Sequence, residues 1–115
     1  VVSFFFSKAQ RLLKRSEYVH LSKEGRKISG KVFWASVAEG RAGQTRLGIT
    51  VTKRVGKAYQ RNRIKRVIRE YFRLNKHRFD TIHDINIIAT REAAKQSNSQ
   101  LNAHLERLFS QIYRK

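Results

Sequence analysis

Between Arg61 and Arg73 the chain reads RNRIKRVIREYFR, and this run constrains everything around it. Ile64, Val67, Ile68, Tyr71 and Phe72 recur at i, i+3, i+4, i+7 and i+8, which is one apolar stripe of an α-helix. At about 100° per residue, Asn62, Arg66, Arg69 and Arg73 fall on the opposite side, while Arg61 and Lys65 fall on one edge of the stripe. Such a helix needs a core against one face and leaves guanidinium groups on the other. Lys53, Arg54, Lys57, Arg61, Arg63, Lys65, Arg66, Arg69, Arg73, Lys76 and Arg78 crowd into this region with a single acid, Glu70. A solvated helix ordinarily interleaves acids for i,i+4 pairing. Here the charge is left standing, so a polyanion is the expected partner.

The whole chain repeats the imbalance. Its 115 residues carry 26 Lys and Arg against 8 Asp and Glu, a net charge of +18. That length suits one domain with one modest core, spanning 1–115 with an N-terminal arm over 1–15. Nucleic acid is the leading partner, and an anionic membrane surface the second. No apolar run approaches the roughly 18 residues of a membrane span, so no membrane insertion is expected. Val1–Phe6 is apolar but too short for a signal segment. The chain has no Cys, hence no disulfide framework and no thiolate chemistry, which fits a reduced, cytoplasmic setting. With no Met at its start, it reads as trimmed or processed.

In the arm, Phe4, Phe5 and Phe6 are expected to dock on the domain. Lys8, Arg11, Lys14 and Arg15 either ride as solvated charges on this lid or touch nucleic acid. A first helix is predicted from an N-cap at Ser16 to Glu24, with Gly25 as its left-handed terminator. Arg26–Gly30 reads as a basic turn or a short extra strand. Lys31–Ala38 reads as a strand with Phe33, Ala35 and Val37 on one face and Val32, Trp34 and Ser36 on the other. Residues 39–44 supply a turn whose two glycines suit positive φ. Thr45–Thr52 then returns as a strand with Leu47, Ile49 and Val51 inward. Gly48, Thr50 and Thr52 form a small-residue face, which either leaves room for something close to the backbone or is an ordinary polar outer face.

After the basic helix, which should fray from Asn75 to Arg78, Asp84–Thr90 reads as a strand with Ile85, Ile87 and Ala89 on one side. A strand on each side of a long helix suggests a βαβ unit. Ser97 and Gln100 form a capping box for a last helix with a stripe of Leu101, Leu105, Leu108, Phe109 and Ile112. The predicted order is α-β-β-α-β-α, a single α+β domain.

Catalytic chemistry finds little support. There is no GxxxxGK[ST] and no GxGxxG, so nucleotide hydrolysis is not indicated. Phosphodiester cleavage usually needs metal-holding carboxylates or an acid–base pair. Only Asp80 and Asp84 stand close together, near His77 and His83, and they read as turn residues rather than a metal site. No catalytic residue and no protein-bound metal or cofactor is expected; the chain reads as a binder.

The stretch RLGITVTKRVGKAYQRNRIKRVIREYFR resembles the signature of bacterial ribonuclease P protein subunits. That signature has a strand, R-[LIV]-G-[LI]-[ST]-V-[STA]-[KR]-[KR], a short link, then R-N-R-x-K-R and R-E-x-[FY]-R. Arg46, Gly48, Lys53, Arg54, Gly56, Arg61, Asn62, Arg63, Lys65, Arg66, Arg69, Glu70 and Arg73 match it. The resemblance implies a fold like the second domain of ribosomal protein S5, with a left-handed βαβ crossover where the general rule favours a right-handed one. It implies a protein, monomeric within a ribonucleoprotein, that assists a catalytic RNA in removing the 5′ leader of precursor tRNA, with magnesium in the RNA active site.

Lys53, Arg54, Lys57, Arg61, Asn62, Arg63, Lys65, Arg66, Arg69 and Arg73 would then face the catalytic RNA. Tyr18, Ser22, Val32, Trp34, Ser36, Thr50 and Thr52 would form the leader cleft. The family tends to place aromatics where this chain has Ser22 and Ser36, so the stacking platform is altered, and Trp34 either compensates or belongs to the core. The basic helix alone would also suit a general structured-RNA-binding or ribosome-associated protein.

Overall fold

The computed structural model describes residues 10–12 and 14–113. Four strands form one mixed sheet: β1 (Arg26–Ile28), β2 (Phe33–Glu39), β3 (Arg46–Thr50) and β4 (His83–Ala89). The spatial order is β1-β2-β4-β3. β1 and β2 pair antiparallel, as do β2 and β4, whereas β3 runs parallel to β4. Helices α2 (Ala58–Asn75) and α3 (Asn98–Tyr113) cover one face, and α1 (Arg15–Glu24) lies across the other.

Strand alternation decides what each face carries. Phe33, Ala35 and Val37 of β2, Leu47 of β3, and Ile85, Ile87 and Ala89 of β4 turn to α2 and α3 and are buried. The α2 stripe Ile64, Val67, Ile68, Tyr71 and Phe72 meets them, as do Leu101, Leu105, Leu108, Phe109 and Ile112 of α3. Each fully buried side chain of this size contributes about 1.5–3 kcal/mol relative to exposure. The capping box at α3 is formed as its residues predict: the Ser97 N–H donates to Gln100 Oε1 at 2.8 Å, and the Gln100 N–H to Ser97 Oγ at 3.2 Å.

The sequence expectations need several corrections. β3 returns antiparallel to β2 but does not pair with it, because the long-range strand β4 inserts between them. None of the described glycines has positive φ, so the 39–44 turn is made without left-handed residues. The basic helix stays α-helical to Asn75 and tightens to a 3-10 turn over Lys76–Arg78. That turn delivers Phe79 against Tyr113 and Phe109, with ring centroids 4.9 and 6.0 Å apart. A further 3-10 turn, Arg91–Lys95, was not foreseen. The arm segment 1–9, with Phe4–Phe6 and Lys8, lies outside the described residues.

The first helix begins at Arg15, so Ser16 sits inside it and Lys14 is the N-cap. Glu17 closes this end by accepting the Lys14 N–H at 3.1 Å. At the other end Gly25 is extended (φ −74°, ψ 151°) rather than left-handed. Lys27 replaces the glycine cap: its ammonium donates to the carbonyls of Leu21, Ser22 and Gly25 at 3.0, 2.7 and 3.2 Å. Three donors meet three carbonyls at the negative end of a helix.

Asp84 is not a turn residue. It lies on β4, 3% exposed, and takes a two-pronged guanidinium contact from Arg46 at 3.0 and 2.9 Å. The same guanidinium donates to Glu17 at 2.6 Å. Arg46 therefore pins α1 to the sheet, and its pKa is raised, chiefly by the hydrogen bond to Asp84.

Candidate nucleic-acid interface

The sheet face under α1 forms the floor of an open groove of about 430 Å³. Register builds this floor in rows. Ser36 of β2 stands beside Asn86 of β4, and Trp34 beside Ile88, with Thr50 of β3 on the far side of Ile88. Arg15, Tyr18, Val19 and Ser22 of α1 make one wall, and Lys27 of β1 closes an end. Trp34 is 44% exposed, so it belongs to the groove and not to the core. Asn86 Oδ1 accepts from the Thr50 hydroxyl at 3.1 Å, leaving its amide N–H groups for an outside acceptor.

Five of the seven cleft residues named from the sequence come together here: Tyr18, Ser22, Trp34, Ser36 and Thr50. The other two do not. Val32 precedes the paired part of β2 and is 1% exposed within the core, so its alternation with Trp34 is broken at the strand's start. Thr52 lies beyond β3, where its carbonyl accepts the Val55 N–H in a turn.

The small-residue face has a definite use. A Cβ on Gly48 would lie 2.7 Å from Tyr18 Cε1 and 2.9 Å from its Cζ and Oη. The space left by glycine is filled by the Tyr18 ring, whose hydroxyl donates to the Leu12 carbonyl at 3.1 Å. Burial of that ring raises the phenol's pKa. On its other side Tyr18 walls a second hollow of about 340 Å³, shared with Lys65 and Arg69 of α2. One aromatic thus separates the groove from the basic helix.

The candidate cations divide by what they touch. Lys53, Arg54, Lys57, Lys65, Arg66 and Arg69 make no ion pair with any described residue. Asn62 is exposed beside them. Arg61 donates to the Gly56 carbonyl at 3.0 Å and holds the loop before α2. Arg63 is turned to the other side, donating to Asn98 Oδ1 at 2.8 Å and ordering the start of α3. Arg73 pairs with Glu70, the lone acid of the region.

Elsewhere the acids are absorbed in the same way. Glu106 takes both prongs of Arg78 at 2.8 Å and the Tyr71 hydroxyl at 2.6 Å, which lowers its pKa to about 2. Five of the eight acids sit in ion pairs within the described residues, and the rest, Glu24, Glu39 and Asp80, are exposed.

Sequence reasoning passed over Asn86, Ile88, Val19 and Lys27 as groove residues, and named Arg15 only as a cation of the arm that is either solvated or in contact with nucleic acid. The alternation of β4 already put Asn86 and Ile88 opposite Ile85 and Ile87, and a polar residue in the middle of an apolar strand was the available signal. It also passed over Tyr59, which is 69% exposed at the start of α2, three residues from Asn62 on the same helix side.

Known proteins resemble this chain in sequence and fold. A family model described as Ribonuclease P matches residues 6–113. A ribonuclease P protein component of Desulforapulum autotrophicum is 45% identical over 112 residues, covering 97% of this chain and 96% of that protein. One from Desulfatibacillum aliphaticivorans is 44% identical, covering 96% and 93%. Among solved structures, the Staphylococcus aureus RNase P protein superposes with a TM-score of 0.86 at 30% identity, over 92% of this chain and 99% of that one. The Thermotoga maritima RNase P protein does so with a TM-score of 0.80 at 29% identity, over 89% and 96%.

Proposed function

The chain belongs to the ribonuclease P protein family, and on that premise we propose that it binds precursor tRNA by its 5′ leader while docked on ribonuclease P RNA. As a member it is a subunit of an endoribonuclease, and its partner is the ribonuclease P RNA. We assign the leader to the groove floored by Trp34, Ser36, Asn86 and Ile88, and the catalytic RNA to the cations of α2 and the 53–57 loop. The observation that carries this reading is the separation of two binding chemistries by Tyr18. An exposed indole and the Asn86 amide at the groove floor lie on one side, suited to single-stranded bases, and Lys65 and Arg69, with no ion pair to any described residue, lie on the other, suited to phosphates.

The RNA performs the cleavage in this reading, with magnesium held at its own active site. The protein contributes charge and position. Its cations offset repulsion between two RNAs, and its groove holds the leader so that the scissile phosphate is better placed. Asp84 is unsuited to a catalytic pair because both its oxygens are occupied by Arg46. No described helix is long and apolar enough to cross a membrane, and we propose a cytoplasmic protein that acts as one copy in the ribonucleoprotein.

Reconstitution tests the proposal. Cleavage of a precursor tRNA by the catalytic RNA is measured across a magnesium series with and without the protein, beside a nuclease-treated protein-only control. The protein's benefit should be largest at low magnesium and shrink as added ions take over the screening. Cleavage by the protein alone, abolished by Asp80→Ala or Asp84→Ala, would overturn the assignment of roles.

A further inference from the structure

A third concave site lies away from both surfaces described so far. The turn between β1 and β2 faces α3 across a cleft of about 100 Å³, too small for a nucleotide and large enough for a phosphoryl group. Ser29 and Lys31 reach it from the turn, and His104, Arg107 and Gln111 from the helix. The three helical residues are spaced i, i+3 and i+7, so they share one side of α3. None of these five side chains makes a hydrogen bond or ion pair with any described residue, and no acid lines the cleft. The nearest acid along α3, Glu106, is occupied by Arg78 and Tyr71.

In a chain where most acids have been given a cation, an uncompensated Lys and Arg gathered beside a His, an amide and a hydroxyl make a ready-formed anion seat. Phe33 and Leu108 lie at its base, and both belong to the core side of the sheet. The cleft therefore opens on the side of α2 and α3 and not on the groove side. The domain measures only 35 × 32 × 25 Å, so a structured RNA docked on α2 can reach it.

We propose that this cleft, walled by Lys31, His104, Arg107 and Gln111, is a second phosphate site that seats one backbone phosphate of the ribonuclease P RNA. The assignment of the RNA rests on the proposed function above. The phosphate chemistry does not depend on it.

Two measurements test the site. First, the amide and His104 ring resonances of the full chain are followed while inorganic phosphate is added at constant ionic strength. Saturable shifts should concentrate at Gly30, Lys31 and His104 and vanish in a Lys31→Ala/Arg107→Ala variant that melts like wild type. Second, affinity of that variant is measured against salt for the catalytic RNA, for precursor tRNA and for a leader oligonucleotide.

Loss of this one phosphate contact should reduce the slope of log K against log salt for the catalytic RNA by about 0.7–0.9 and leave the leader arm unchanged. Phosphate shifts that persist in the variant, or an unchanged slope for the catalytic RNA, would overturn the proposal. A loss confined to the precursor tRNA arm would overturn the choice of RNA. An Arg66→Ala/Arg69→Ala control separates the two readings. If it weakens RNA binding while the cleft variant does not, only the second site fails; if neither does, the proposed docking surface fails.

Discussion

Replacing Gly48 by Ala sets a methyl group against the Tyr18 ring. The added Cβ would lie 2.7 Å from a Tyr18 ring carbon, whereas carbon atoms rest about 3.5–4.0 Å apart. The ring must therefore retreat by about 1 Å. It cannot do so freely. Its hydroxyl is bonded to the Leu12 carbonyl, and α1 is pinned through Glu17 to Arg46. Overpacking of this kind costs about 1–3 kcal/mol, which lowers Tm by roughly 5–15 °C in a domain of this size.

The assay is thermal melting, at one fixed salt concentration, of wild type, Gly48→Ala, Tyr18→Ala and the double variant. With the ring gone the methyl group loses its three nearest contacts, so the double variant should recover about 1 kcal/mol or more relative to additivity. A leader oligonucleotide should also bind Gly48→Ala less tightly, because the displaced ring is a wall of the groove. Equal cost of Gly48→Ala with and without Tyr18 would refute the argument.

Arg66→Ala with Arg69→Ala should weaken binding of the catalytic RNA at least tenfold, taking about 1.5–3 kcal/mol for each lost charged hydrogen bond. The free protein should melt no earlier, because neither side chain holds a described partner. Trp34→Ala should lower affinity for the leader by about 1–3 kcal/mol with little change in melting, and a photoreactive leader nucleotide should crosslink to Tyr18 or Trp34 rather than to Arg66–Arg73. The Glu106 carboxyl, held at about 2 by Arg78 and then Tyr71 against an ordinary 4.5, should make the fold acid-sensitive. Because the folded value is the lower one, the stabilisation is full above about pH 4.5 and is lost as pH falls toward 2. Glu106→Gln should flatten that limb of a Tm–pH profile, and an unchanged limb would show that Glu106 does not control it.

What the sequence disclosed follows from how local each feature is. The α2 stripe and the Ser97–Gln100 cap depend on residues within a turn or two of one another, so periodicity alone located them. The groove depends on β4 entering between β2 and β3, and nothing within β2 or β3 reports that choice. Alternation showed that Trp34 and Ser36 share a face but not how deep that face lies. It misled at Val32, because the pairing that enforces alternation starts only at Phe33. Gly48 and Tyr18 are 30 residues apart, and the reason for the glycine became visible only once α1 was laid over β3. Asp84 read as a turn residue because its partner Arg46 is 38 positions away.

The placement of the acids explains how so basic a chain keeps a defined fold and still presents charge. Glu17 and Asp84 share Arg46 where α1 must stay on the sheet, and Glu106 holds Arg78 where the end of α2 meets α3. Each of these three acids is thus placed at a junction between elements, where a geometry has to be held. The cations of α2 and its leading loop lie on an outer surface that needs no such fixing, and they receive one acid, Glu70, which pairs with Arg73 at the far end. Charge repulsion is therefore concentrated on the surface assigned to RNA, and binding a polyanion there relieves it. It follows that removing a junction acid and removing a surface cation should act in opposite directions on the free protein: Glu106→Gln loosens the fold, whereas Arg66→Ala relaxes repulsion without opening a cavity.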